Sequence, residues 1–137
     1  LRQLAAHEVG HTLGIMHNYA SSVNNRASVM DYPHPLVRLT SKGEIDMSEV
    51  YDTKIGDWDK LAIAYGYSQF ADNTNESSAL DKLLRDGAAK GLLFIADRDA
   101  RAPGGSHPQA HLWDNGTDAV TELKEVMKVR IKALDAF

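Results

Sequence analysis

A mainly α-helical chain with long irregular loops is the fold class this sequence predicts, on three observations. Apolar residues recur at threes and fours in four separate stretches. Asn, Ser, Gly and Pro crowd the path between the first two of those stretches. The 137 residues, 43% apolar and 25% charged, have the size and composition of one globular unit rather than of a disordered tail, a fibre or a disulfide-dense mini-protein. Fifteen basic against nineteen acidic side chains leave a net charge of −4, so the cationic footprint expected of a nucleic-acid partner is missing. No stretch approaches the roughly 18 consecutive apolar residues of a membrane span. The chain has no cysteine, so any metal must be held by His and carboxylates.

The elements follow in order. Leu1, Leu4, Ala5 and Val9 recur at helical spacing and no Pro intervenes before Pro33, so residues 1 to about 13 read as an amphipathic helix closed by Gly14. Asn18 to Asp46, with Pro33 and Pro35, reads as irregular surface path. Residues 57–65 place Trp58, Leu61, Ala62 and Tyr65 on one face of a second helix, with Asp57 and Asp59 at its start and Gly66 at its end. Ser77 or Ser78 caps a third, carried by Leu80, Leu83 and Leu84 and weakened by Gly87 and Gly91. Leu92 to Ala96 is a buried strand or packed coil, and the following residues 97–108 are loop. Thr117 or Asp118 starts a last helix whose apolar positions are Leu123, Val126, Met127, Ile131 and Leu134. The acidic excess from Glu44 to Asp59 reads as a solvated face, and Trp58 and Trp113 as core.

Chemistry concentrates in residues 7–17, HEVGHTLGIMH, which is HExxHxxGxxH with His7, Glu8, His11, Gly14 and His17 at the fixed positions. Side chains four apart on a helix lie one above the other, so His7 and His11 can offer two imidazole nitrogens to one ion. Six residues further a continuing helix would carry a third ligand away, and Gly14 supplies the positive-φ turn that returns His17. Three imidazoles leave a fourth tetrahedral position for water, the open arrangement of a catalytic Zn2+. Zinc lowers the pKa of water to about 7, and the neighbouring carboxylate of Glu8 is placed to take the proton.

This string, with Ser28-Val29-Met30-Asp31-Tyr32 downstream, resembles the metzincin clan of zinc endopeptidases, whose signature adds a methionine-containing turn. The resemblance assigns Met30 the place beneath the zinc-binding imidazoles. It implies for Tyr32 a hydroxyl that approaches the zinc and stabilises an oxyanion, the alternative being a packing residue beside Pro33. HNYASSVNNRASVMDYPHP, DWDKLAIAYGY, SHPQAHLWDNG and VMKVRIKALDAF together look like the C-terminal part of the catalytic region in a family of large bacterial met-zincin proteases. On that likeness residues 1–137 form a single unit, the C-terminal subdomain of a zincin-like α+β protease fold. Residues 1–17 would be its zinc-binding helix and turn, 28–32 its Met-turn and 57–137 its helical part, and the N-terminal sheet subdomain is expected to be missing. Such a piece of a longer protein would expose an apolar surface and self-associate weakly. Its parent is expected to be secreted, periplasmic or on the cell surface, acting on a peptide or protein substrate.

His107 and His111 admit three readings: a second metal site, lining of a cleft, or hydrogen-bonded structural histidines, with Pro108 arguing against an ideal helix there. His34, between two prolines, reads as exposed, and Asp97 and Asp99 as local hydrogen-bonders. The leading function is zinc-dependent endopeptidase. The alternatives are a zinc-stabilised binding or scaffolding module without turnover, and an inactive fragment of the protease.

Overall fold

A computed structural model describes residues 1–104, 107–110, 112–113 and 115–136. The described chain is mostly helical with one two-stranded sheet. Helix α1 runs Arg2–Thr12, and a single 3₁₀ turn covers Ser21–Asn24. Strands β1 (Arg38–Leu39) and β2 (Ile45–Asp46) pair antiparallel, Arg38 opposite Asp46 and Leu39 opposite Ile45. Helices α2 (Asp57–Tyr67), α3 (Glu76–Ala89), α4 (Asp97–Ala100) and α5 (Ala119–Leu134) complete it. None is long and apolar enough to cross a membrane.

The core is small and lies under α1. Ala27, Val29, Met30 and Trp58 form its buried centre, with Ala6, Ile15, Ala62 and Leu92 packed around them. Trp58 stacks on Phe94 with ring centroids 5.3 Å apart. Two glycines permit the close approaches that build this centre. A Cβ on Gly10 would stand 2.3 Å from Met30 Sδ, so the methionine beds directly on α1. A Cβ on Gly56 would stand 1.9 Å from the Ala27 carbonyl oxygen, which accepts from Trp58 N at 2.9 Å.

Several elements depart from the sequence expectation. Helix α2 continues through Gly66 to Tyr67, because a glycine with ordinary backbone geometry weakens a helix by about 1 kcal/mol without stopping it. The cap of α3 is Asn75, whose side chain accepts from Ser78 N at 2.9 Å, rather than Ser77 or Ser78. That helix also runs past Gly87, where a Cβ would meet Leu61 of α2 at 2.4 Å. Residues 92–96 are packed coil, and the expected loop after them begins with one helical turn, α4. The path from Asn18 to Asp46 is irregular as expected, apart from the 3₁₀ turn and the short hairpin.

Burial differs too. The apolar positions of α1 face outward, Leu4 58% and Val9 56% exposed, while His7 and Gly10 are buried. The stripe Leu123, Met127, Ile131 and Leu134 on α5 is likewise exposed, and that helix is joined to β1 by a bidentate ion pair of Arg38 with Glu122 at 2.9 and 2.7 Å. Trp113 is 62% exposed instead of core. Asp59, expected on a solvated face, is buried. Its carboxylate accepts from Ser28 Oγ (2.5 Å), Val29 N (2.9 Å) and Gly56 N (2.6 Å), hydrogen bonds that satisfy a charge away from water.

Candidate metal centre

Helix α1 ends in a pattern of hydrogen bonds that determines where the third histidine goes. Gly14 N donates to the His11 carbonyl at 2.9 Å and Ile15 N to the Gly10 carbonyl at 3.0 Å, the paired bonds of a Schellman turn. Gly14 takes φ +79°, which a residue with a Cβ rarely adopts. The chain therefore folds back across the helix end. It brings His17 beside His7 and His11, as the sequence expectation requires.

The three Nε2 atoms converge, His11 standing 3.1 Å from His7 and 3.1 Å from His17. Each Nδ1 is engaged on the far side of its ring. His7 Nδ1 donates to the Val29 carbonyl at 2.7 Å, and His11 Nδ1 to the Ile15 carbonyl at 2.9 Å. His17 Nδ1 donates to Asp97 Oδ2 at 2.8 Å. A carbonyl oxygen can only accept, so the Nδ1 atoms of His7 and His11 carry a proton, and in the neutral rings it is the Nε2 atoms that carry the lone pairs. Three such lone pairs aimed at one point repel one another until a cation stands between them. Nitrogens held about 2.0–2.1 Å from one tetrahedral ion lie about 3.3 Å apart, close to the observed spacing. The donor set thus fits a metal ion, and His7, His11 and His17 form the one group able to hold it among the described residues.

Met30 is 1% exposed and packs against Gly10 of α1. Its turn is tied to the site twice, through the Val29 carbonyl on His7 and through Asn18 N, which donates to the Met30 carbonyl at 2.9 Å. Tyr32 is brought to the histidines, its ring 5.1 Å from His7 and 4.7 Å from His17, with Trp113 5.5 Å away on the ring and donating its backbone N–H to the Tyr32 carbonyl. Beside them an open cavity of about 370 Å³ is lined by Leu4, His7, Val29, Tyr32, Tyr51 and Trp113. Glu8 is exposed, and among the described residues its carboxylate has no hydrogen-bond or ion-pair partner.

His34 is exposed as expected. His107 is exposed and accepts from Gln109 N at 3.2 Å, away from the cluster, while the expectation for His111 lies outside the described residues. Sequence reasoning treated Asp97 as a local turn acid and overlooked Asn18 and Tyr19. Asp97 instead reaches across the fold to His17 and also accepts from Tyr19 OH at 2.8 Å. Burial acts to raise its carboxyl, but the bonds from His17 and Tyr19 outweigh that and hold it below the usual carboxylate value. Burial pushes the Tyr19 hydroxyl up, with Arg101 opposing and Asp97 reinforcing, so it stays protonated and donates.

Three histidines gathered from a helix and its return turn define the class: a metzincin-type, zinc-metalloprotease-like domain. The sequence profile of the Met-zincin family matches residues 1–137, and the chain belongs to that family. Neither a curated protein nor a solved structure matches it.

Proposed function

We propose that this chain is the metal-binding, C-terminal subdomain of an endopeptidase, with the zinc-binding helix and turn at 1–17, the Met-turn at 28–32 and the helical part at 57–137. The observation that carries the proposal is the convergence of three Nε2 lone pairs with every Nδ1 already engaged. His7, His11 and His17 would hold zinc, which supplies Lewis acidity that polarises a peptide carbonyl and makes water acidic enough to lose a proton near neutral pH. Glu8, one step round α1 from His7 and without a competing partner among the described residues, takes the proton from water and returns it to the departing amine. The Tyr32 hydroxyl, carried on a ring packed beside His7 and His17, donates to the oxygen that gains charge. The cavity between α1 and Trp113 receives a substrate side chain, and its apolar lining favours an apolar one.

The substrate on this reading is a peptide or protein, and the parent protein is exported. The outward apolar positions of α1 and α5 support association, with the remainder of a longer chain or weakly with a second copy. Against a purely structural zinc stands the ligand count: a structural site takes four protein ligands, and three converge among the described residues. The test is Glu8→Gln in the intact protein. Zinc content by elemental analysis should stay at the wild-type level while peptide cleavage falls about 10²–10⁴-fold. Cleavage persisting at the wild-type rate would overturn the assignment.

A further inference from the structure

Two of the three metal-facing histidines are aimed by backbone, but His17 sits on a loop beyond Gly14 and has no helix to hold it. Its ring is held from 80 residues away. Asp97 Oδ2 accepts from His17 Nδ1 at 2.8 Å, and the other oxygen, Oδ1, accepts from Tyr19 OH at 2.8 Å. With each oxygen engaged by a different donor, the carboxylate cannot rotate without breaking one of the two bonds. Tyr19 itself is fully buried, and its backbone N–H donates to the Ile95 carbonyl at 2.9 Å.

The same strip of chain is secured by Asn18, also fully buried. Its Nδ2 donates to the Leu93 carbonyl at 2.8 Å, and its Oδ1 accepts from Ile95 N at 3.2 Å and Ala20 N at 3.2 Å. Residues 18–19 and 93–95 are thus laced together, and this lacing delivers Asp97 to the ring of His17. Among the acceptors behind the three rings, only Asp97 is charged. A carboxylate behind an imidazole fixes which nitrogen carries the proton, orients the ring and makes its other nitrogen a stronger donor to a cation.

We propose that Asp97, held by Tyr19, is a positioning residue for the metal centre: it keeps the proton on His17 Nδ1 and aims His17 Nε2 at the point where His7 and His11 already converge. The inference rests on the metal-site reading above and adds to it a part that lies outside the HExxHxxGxxH string. Asp97 does not touch the metal, and its contribution passes entirely through His17.

The experiment is zinc binding by the intact protein, measured by chelator competition, with the absorption spectrum of the cobalt-substituted protein as a second readout. Asp97→Asn retains shape and one acceptor but removes the charge. It should weaken zinc binding about 10–100-fold and change the cobalt spectrum, and Asp97→Glu should recover part of the affinity. Tyr19→Phe, which frees Oδ1 and also removes the hydroxyl 3.3 Å from His17 Nδ1 while leaving the Asp97–His17 bond, should give a smaller loss in the same direction. Wild-type affinity and an unchanged spectrum in Asp97→Asn and Tyr19→Phe, with zinc bound normally by the parent, would overturn the positioning role alone. Failure of the wild-type protein to bind zinc would instead overturn the metal-site reading, and this inference with it.

Discussion

His7 and His11 stand one helical turn apart on α1, and each is steadied by a backbone carbonyl, Val29 or Ile15. His17 stands on a loop and is steadied by a side chain 80 residues away in sequence. The two regions solve one geometric problem by different means. On the helix, spacing alone superposes the rings, and the turn that ends the helix places the Ile15 carbonyl behind His11. On the loop, the local contact of Tyr19 OH with His17 Nδ1 is long at 3.3 Å, so the aim of the ring depends chiefly on whether residues 92–97 are in place. A metal centre assembled in this way has a robust pair and a conditional third member.

The difference can be broken on the conditional side first, with the largest effect expected at Asn18. Replacing it by Ala would orphan the Leu93 carbonyl and the Ala20 and Ile95 N–H groups, on the order of 3 kcal/mol of stability if water does not replace the bonds. The denaturation midpoint of the intact protein should drop, and zinc binding should weaken with it. A variant equal to wild type in both would show that the lacing of 18–19 to 93–95 does not hold His17.

The robust side is sharpened by Gly10→Ala, whose Cβ would stand 2.3 Å from Met30 Sδ. Forcing the methionine out of its bed should cost about 1–3 kcal/mol. The same change at Gly66, where nothing lies within 4 Å, should stabilise α2 by up to about 1 kcal/mol. Denaturant midpoints moving in opposite directions would verify the contrast, and equal movement would refute the bedding of Met30 on α1. The smallest effect belongs far from the centre. Glu122→Gln removes the charge that Arg38 holds at 2.7 Å, and it should cost no more than about 1 kcal/mol while leaving zinc affinity unchanged. A loss of zinc there would mean that α5 is coupled to the histidines.

Much of the site was legible before the fold. The spacing of His7 and His11 and the glycine after them encode local geometry, which depends on residues within one or two helical turns. The Met-turn was legible only through its likeness to a known pattern, since a lone methionine in a loop carries no signal of its own. Asp97 was not legible. A carboxylate at a helix start has the same sequence signature whether it bonds locally or reaches another segment, and the two-residue spacing of His17 and Tyr19 does not reveal that both donate to Asp97. Asp59 misled for the same reason, since burial is decided by what packs over a residue and not by the charges flanking it in sequence.

By itself, then, the sequence determined α1, its termination at Gly14 and the pairing of two imidazoles, because hydrogen bonds four residues apart and one positive-φ glycine are enough to set them. Tertiary structure decided the rest: the orientation of His17, the bedding of Met30 on Gly10 and the burial of Asp59. Those depend on contacts between segments 20 to 80 residues apart, and such contacts exist only once the intervening chain has folded.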